Sequence, residues 1–298
     1  MTSNSNSMGS ASSVSPREGD DVPDCPVIDA HVHIMPTKIL DAVSDWFESE
    51  AGWAIPKLSA EAVAERASQR TDGFVFFPYA HQPDISASLN EFAADWQLRL
   101  DSAIGLGTVH AGDSDPERIV TDLFERGLQG VKLHCPVQGF SADDARLDPV
   151  YEALVARDAP LVIHASTHPF YRGDSTLGAA PLGRVLRRFP ALRVCVPHLG
   201  LFESDSFFDL ADRYTIYFDT SVALGEETWE RIGRRPDDIS MNRLANYGDK
   251  VMFGTDYPIR PQPYRAAFRG IHEVFGEQTS AVYHRNARRF FGFQDDGQ

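Results

Sequence analysis

Short runs of apolar residues alternate along the chain with longer stretches in which apolar positions recur at helical spacing. Eight of the short runs are nearly uninterrupted, which is typical of strands that are buried on both faces. We predict these strands at residues 26–34, 73–79, 102–109, 129–135, 160–166, 192–198, 214–220 and 250–256. Helical patterns lie between them, at residues 85–100, 115–127, 147–158, 182–190, 239–248 and 280–293.

This alternation predicts parallel strands joined by helical crossovers. Eight such units in roughly 250 residues favour an α/β fold, a (β/α)8 TIM barrel. An open doubly wound sheet is the alternative, but the chain lacks both GxGxxG and GxxxxGK[ST], the phosphate-binding motifs of nucleotide-binding sheets. Residues 1–24 are polar and rich in Ser and Asn, so we predict a disordered tail there and a single catalytic barrel with a C-terminal helix at 25–298.

Composition narrows the function classes. The formal net charge is −15 over 298 residues, which argues against nucleic acid or an anionic membrane as partner. No apolar run approaches the ~20 residues that span a bilayer. The three cysteines form no CxxC pair, so we expect a reducing, cytoplasmic location. The expected partner is a small-molecule substrate, and a homodimer is the assembly to consider, since dimers are common among enzymes.

The first predicted strand carries two histidines in the segment VIDAHVHI. Residues two apart on a strand point to the same face, so His31 and His33 project together. They lie near the C-terminal end of the strand, which in a barrel faces the active-site mouth. Two imidazoles at this spacing can bind one divalent metal ion.

Other predicted strands also end in polar residues that can bind metal or substrate. These residues are Lys132, His134, His164, His198 and Asp256. In a closed barrel they converge on one mouth, and their mixture of imidazole and carboxylate suits a divalent ion such as Zn²⁺. The alternative for each single histidine is a hydrogen-bonded core residue.

Five motifs resemble the amidohydrolase superfamily in their sequence and order: DAHVH, GVKLH, VIHAS, PHLG and FGTDYP. The nearest branch is the amidohydrolase-2 group, which includes aminocarboxymuconate-semialdehyde decarboxylase and related lactonases and hydratases. The resemblance runs from about residue 26 to residue 292. It implies a metal-dependent barrel in which His31, His33, His164 and Asp256 hold a metal ion. His198 matches either a ligand of a second metal ion or a catalytic base.

The resemblance leaves open whether one or two ions are bound. GVKLH is similar to a segment of urease and dihydroorotase in which the lysine is carboxylated, which implies a carbamate at Lys132 that bridges two ions. In the alternative, Lys132 stays an ammonium and binds a substrate carboxylate. The same resemblance implies that His134 hydrogen-bonds a substrate oxygen. In the alternative, His134 holds neighbouring residues of the site in place.

We predict a metal-dependent hydrolase of a small carbonyl substrate, a lactone, amide or ester, that uses metal-activated water. Asp256 would accept the proton of the water and deliver it to the leaving group. The first alternative is a non-oxidative decarboxylase or hydratase of an unsaturated or aromatic acid, in which His198 assists the reaction. The second alternative is a barrel that binds a ligand or a metal ion without turnover. Arg172 and Arg260 are predicted in mouth loops, where either can pair with a substrate carboxylate or be solvated.

Overall fold

A computed structural model describes residues 23–52, 54–167, 174–224, 229, 233, 239–260, 264–268 and 270–294. The predicted tail therefore falls almost wholly outside the described residues. The strands in chain order are β1 (Ile28–Val32), β2 (Gly73–Phe76), β3 (Ala103–Gly105), β4 (Gly107–Thr108), β5 (Val131–His134), β6 (Pro160–His164), β7 (Arg193–Val196), β8 (Ile216–Asp219) and β9 (Val251–Met252).

All pairings between these strands are parallel, in the orders β1-β2-β3 and β4-β5-β6-β7-β8-β9. One residue, Leu106, separates β3 from β4, so the two occupy one strand position and change neighbours between them. The last and first strands are also joined: the Ala30 N–H of β1 donates to the carbonyl of Phe253, the residue after β9, at 2.8 Å. The arrangement is the predicted (β/α)8 barrel, with eight strand positions.

The helices are α1 (Thr37–Trp46), α2 (Ala60–Arg70), α3 (Ser86–Gln97), α4 (Pro116–Glu125), α5 (Cys135–Gln138), α6 (Asp148–Ala156), α7 (Ala179–Arg188), α8 (Ser204–Ala211), α9 (Met241–Ala245), α10 (Ile271–Phe275) and α11 (Asn286–Phe291). A π-helical turn at Phe47–Ala51 continues α1, and another at Ala281–Arg285 leads into α11. The predicted start of α4 is confirmed, because the Asp115 side chain accepts the Arg118 N–H at 3.0 Å. The sequence pattern had not predicted α1, α2, α5, α8 or α10.

The core has two parts. The larger part packs the apolar faces of the helices, such as Val120 and Leu123 of α4, against the strands. The smaller part joins inward-facing residues such as Val75 and Val162 to Phe290 and Phe291 of α11, which are 1% and 3% exposed. These two phenylalanines of the C-terminal helix therefore pack inward against the barrel.

All eight strands end earlier than the sequence predicted, and at two of them the difference affects the candidate site. β7 ends at Val196 and β9 ends at Met252, so His198 and Asp256 lie in the turns that follow these strands. Both residues have positive φ angles, 58° and 64°, which a strand does not allow. Within the described part of the chain, no helix has the length and apolar character needed to cross a membrane.

Candidate metal centre

Three side chains from opposite ends of the chain meet at the mouth of the barrel. His33 Nε2 lies 2.9 Å from Asp256 Oδ1, and His31 Nε2 lies 3.2 Å from that same oxygen. The two Nε2 atoms are 3.2 Å apart. All three residues are at most 9% exposed. Two imidazole nitrogens and one carboxylate oxygen therefore converge on a single point.

Backbone hydrogen bonds hold Asp256 against β1. The Asp256 N–H donates to the His31 carbonyl at 2.9 Å, and the His33 N–H donates to the Tyr257 carbonyl at 2.8 Å. Asp29 adds a second link, because its carboxylate accepts the N–H and the hydroxyl of Thr255 at 3.0 Å and 2.6 Å. The turn that carries Asp256 is thus fixed to the strand that carries both histidines.

Gly254 permits this close approach. A Cβ atom at this position would lie 3.1 Å from His31 Cβ and 3.2 Å from Asp219 Cβ, closer than side chains ordinarily pack. The glycine of the FGTDYP motif thus has a packing role, since it leaves space for two residues of the site.

Asp219, the last residue of β8, orients His31. His31 Nδ1 donates to Asp219 Oδ2 at 2.8 Å, so in the neutral ring Nε2 carries the lone pair. Burial opposes protonation of His31, but the negative charges of Asp219 and Asp256 outweigh burial and raise the pKa of the imidazole. Burial alone would raise the pKa of the Asp219 carboxyl. The charge and the hydrogen bond of His31 outweigh burial and lower this pKa to about 2.

His198 is positioned by a turn of unusual backbone conformation. The residues from His198 to Leu201 all have positive φ angles, which are uncommon for residues other than glycine. The His198 N–H donates to Asp219 Oδ1 at 3.0 Å, which anchors the turn. His198 Nδ1 lies 2.9 Å from the Ser221 carbonyl and 2.8 Å from Ser221 Oγ. A carbonyl can only accept, so Nδ1 holds the proton and Nε2 is left as an acceptor.

His198 also lies close to the converging donors. One donor atom from each of His31, His198 and Asp256 can be chosen so that all three lie within 4.8 Å of one another. Burial lowers the pKa of His198 to about 4 and also lowers the pKa of His33 to about 4. Both rings are therefore neutral near neutral pH, which is the form that binds metal ions and accepts protons.

The remaining strand-end residues lie beside this cluster. His164, the last residue of β6, stacks on His134 with ring centroids 4.2 Å apart, and the His164 ring centroid lies 4.9 Å from that of His198.

Lys132 is fully buried on β5, with Nζ 4.7 Å from the centre of the Phe77 ring. Among the described residues nothing accepts a hydrogen bond from this ammonium. Burial lowers the pKa of Lys132 to about 8.

One cavity of about 540 Å³ connects these side chains. Its polar lining is formed mainly by His31, His33, Lys132, His134, His164, His198 and Asp256. The cavity has the size and the mixture of apolar walls and few polar groups that are usual for small-molecule sites. The structure thus gathers every predicted metal-binding residue around a single cavity.

The predicted arginines are placed differently. Arg260 is 5% exposed and is not among the described residues that line the cavity. Its predicted contact with a substrate carboxylate stays a prediction. Arg172 lies outside the described residues.

Sequence reasoning missed two components of the site. Ser221 binds both Asp219 and His198, and the Asp-x-Ser spacing in YFDTS was its only signal. The second component is α1, which lines the cavity with an apolar face. Its signal was present as apolar residues at positions 39, 42, 43, 46 and 47, a helical spacing.

The donor set fits a divalent metal ion. Ligands that share one ion at bond lengths of about 2 Å stand about 3 Å apart, as His31 Nε2, His33 Nε2 and Asp256 Oδ1 do. Imidazole with carboxylate is a donor combination for Zn²⁺ and for other first-row divalent ions. Asp219 supplies the carboxylate that commonly orients a metal-binding histidine from behind.

Comparison with known proteins places this barrel among related structures. The amidohydrolase family model matches residues 28–293. No curated protein matches the chain in sequence. An uncharacterised TIM-barrel protein from Bordetella bronchiseptica superposes with a TM-score of 0.67 at 18% identity, covering 90% of this chain and 98% of that chain.

Two structures of enzymes with different reactions are also similar. One is 5-carboxyvanillate decarboxylase from Novosphingobium aromaticivorans, complexed with manganese and 4-hydroxy-3-methoxy-5-nitrobenzoic acid. It has a TM-score of 0.60 at 19% identity, over 93% of this chain and 98% of its own. Dihydroorotase from Campylobacter jejuni has a TM-score of 0.59 at 15% identity, and the match covers 92% of this chain and 85% of the dihydroorotase chain. At such identities the similarity concerns the fold alone.

Proposed function

Because this chain belongs to the amidohydrolase family, whose model spans residues 28–293, we propose that it is a metal-dependent hydrolase of a small carbonyl substrate, a lactone, amide or ester. The observation that carries the proposal is the convergence of His31, His33 and Asp256 on one point beside a neutral His198. This arrangement combines metal donors with a proton acceptor, which are the two elements that hydrolysis of a carbonyl compound requires.

His31, His33 and Asp256 would hold the ion, with His164 completing the set. A divalent cation bound there would polarise a substrate carbonyl and make water more acidic. We propose Zn²⁺ or Mn²⁺ as this cation, since the donors suit both and the decarboxylase structure named above contains manganese.

His198 is the proposed proton acceptor. Its Nδ1–H is engaged by the Ser221 carbonyl, so Nε2 takes the proton of the water that attacks the carbonyl carbon. The proton then passes to the departing oxygen or nitrogen when the carbon–heteroatom bond breaks. Asp256, the proton acceptor that the sequence predicted, provides a second route for this proton through its carboxylate. Because the Asp219 carboxylate binds both the His31 ring and the His198 backbone, these two groups keep a fixed relation during the reaction.

A second candidate function is non-oxidative decarboxylation, and Lys132 is the observation that favours it. A buried cation without a hydrogen-bond acceptor among the described residues is suited to binding a substrate carboxylate. In a hydrolase with two ions, the neutral amine of Lys132 would instead combine with carbon dioxide to give an anionic carbamate. His164 and His198 would then help to hold the second ion, and Asp256 would be the proton acceptor. An ammonium at Lys132 therefore favours decarboxylation, and a carbamate favours hydrolysis.

The test combines metal content, the carboxylation of Lys132 and turnover. We would purify the full chain, count Zn and Mn per chain by plasma mass spectrometry, and search for a carbamate at Lys132 by carbon-13 NMR with labelled bicarbonate. The chain would then be assayed on lactones, esters, amides and aromatic carboxylic acids, before and after chelation. Hydrolysis that is lost on chelation and restored by metal supports the proposal. Release of carbon dioxide without hydrolysis replaces it with decarboxylation, and neither activity in a metal-loaded chain refutes both.

A further inference from the structure

The helix that follows β1 crosses the mouth of the barrel. α1 and the π-helical turn after it, residues 37–51, are together called the mouth helix. It begins four residues after His33, and Phe47 and Ala51 at its far end pack against Leu201, which follows β7. Its 10 and 5 residues span about 22 Å at the usual helical rise. Since β8 and β9 lie between β7 and β1 in the barrel, the mouth helix extends over part of the opening.

One face of the mouth helix packs on the protein and a different face lines the cavity. Leu40 and Ser44 are buried, and the Ser44 hydroxyl donates to the Ile55 carbonyl at 2.7 Å. The cavity face begins with Lys38 at the start of the helix and is apolar from there on, with Ile39, Ala42, Val43, Trp46 and Phe47. Ile39, Val43 and Phe47 pack partly against the hydrophobic core, as apolar residues at this spacing normally do, and they also line the cavity.

Tyr79 and His81 also line the cavity, but most of the walls around this face are apolar as well. They include Val137, Leu201, Val222 and Ile259, which come from four different barrel loops. Within the part of the chain that the structure describes, three large hydrophobic side chains stay exposed: Trp46 at 38%, Leu98 at 83% and Val137 at 36%. Two of these three, Trp46 and Val137, line this cavity. Exposed apolar surface concentrated beside a polar site marks a ligand-binding surface.

We infer that the substrate of this enzyme carries an apolar arm that lies along the mouth helix from Ile39 to Phe47. The inference rests on the proposed metal-dependent function and names its substrate class. The polar floor around His31 and Asp256 takes the reacting carbonyl or carboxyl group, and the apolar walls take the arm. The distance from Ile39 to Phe47 along the helix axis is about 12 Å, which is longer than a single aromatic ring. The arm is therefore an alkyl chain or a second ring.

The test measures binding by calorimetry, so it does not depend on turnover. The zinc-loaded full chain is titrated with butanoate, hexanoate, octanoate and decanoate, and separately with benzoate and biphenyl-4-carboxylate. Burial of each additional methylene predicts an affinity gain of up to about fourfold. A gain in the alkanoate series identifies an alkyl arm, and a gain from benzoate to biphenyl-4-carboxylate identifies a second ring. Affinities that stay flat in both series overturn the inference.

Variants separate the mouth helix from general hydrophobic binding. Trp46→Ala and Val137→Ala should each weaken binding of the longest ligand by about five- to tenfold while changing butanoate binding less. Leu98→Ala is the matched control, because Leu98 is exposed but does not line the cavity. It should leave the whole series unchanged. A loss in Leu98→Ala equal to that in Trp46→Ala would contradict the inference.

The outcomes also separate this inference from the proposed function. If no reaction is found but affinity rises with arm length and falls in Trp46→Ala, the proposed function fails and the apolar subsite stands. If the chain turns over short substrates and affinity is independent of arm length, the function stands and the apolar subsite is wrong.

Discussion

Asp219, at the end of β8, hydrogen-bonds the ring of His31 on β1 at 2.8 Å across a sequence separation of 188 residues. The same carboxylate also accepts the backbone N–H of His198 at 3.0 Å. One buried anion thus orients two histidines that belong to different parts of the barrel. Asp219 therefore affects the site indirectly, through the positions of His31 and His198.

Asp219→Asn should weaken metal binding by about 10- to 100-fold. The amide keeps the size of the side chain but removes the charge that raises the pKa of His31 and fixes its ring. Metal affinity would be measured by competition with a chromogenic chelator. Asp143→Asn is the matched control, because it breaks an ion pair with Arg184 at the protein surface and should leave metal affinity unchanged. Equal affinities in Asp219→Asn and wild type would contradict the orienting role.

Asp256→Asn should abolish activity while leaving the fold largely intact. The carboxylate is both a proposed ligand and a proton carrier, and loss of a general acid–base group typically lowers kcat by about 10²–10⁴-fold. The measurement is kcat/KM on the compound that the wild type turns over fastest, together with the circular dichroism spectrum. Wild-type turnover by this variant would show that Asp256 has no role in proton transfer.

Lys132→Met should stabilise the metal-free protein and inactivate the enzyme. Methionine matches the length of the buried chain and removes an ammonium that is fully buried without a hydrogen-bond acceptor among the described residues. We expect a gain in the free energy of unfolding on the order of 1–3 kcal/mol at neutral pH. Urea denaturation in carbon-dioxide-free buffer measures it. A less stable variant would mean that the ammonium has a favourable partner in the folded protein.

The same lysine predicts a pH dependence of stability. Its pKa falls from 10.5 to about 8 on folding, so between these values the unfolded chain binds the proton that the folded chain has released. The free energy of unfolding of metal-free wild type should therefore rise with pH across this window, relative to Lys132→Met. The difference between the two proteins should be largest below pH 8 and should shrink towards pH 10.5. Parallel stability curves would rule out a depressed pKa for Lys132.

Gly254→Ala should weaken metal binding and lower stability together. The added methyl group would press on the Cβ atoms of His31 and Asp219, which move only with their strands. Overpacking of this kind typically costs about 1–3 kcal/mol. Thermal denaturation gives the stability, and chelator competition gives the affinity. If the variant binds metal as the wild type does, the contact has room to relax.

The fold was predictable because buried parallel strands leave a strong signature in the sequence. The apolar runs, the alternation with helices and the His-x-His pair were sufficient to predict a barrel with polar residues at its mouth. The ends of β7 and β9 were not predictable, because the residues that follow each strand are also apolar or form part of the site. What stops the strand at Val196 is the run of positive φ angles from His198 onward, which depends on the anchor at Asp219.

The parts of the site that sequence reasoning missed depend on tertiary contacts. Ser221 acts because β8 brings it beside His198, and nothing in the local pattern distinguishes it from an ordinary turn serine. The mouth helix has the apolar spacing of a core-facing helix, and a sequence cannot tell a face that packs on protein from one that lines a cavity. Only the position of Leu201 beside Phe47 shows which surface the helix covers.

The pairing of His33 with Asp256 spans 223 residues, so the proposed metal centre draws on both the first strand and the turn after the last strand of the barrel. During synthesis at typical ribosomal rates, the two histidines emerge roughly 10–45 s before the carboxylate. A nascent chain therefore exposes the imidazoles well before it can complete the coordination set. Tight metal binding is therefore possible only late in synthesis and folding, after the first strand and the last turn of the barrel have come together.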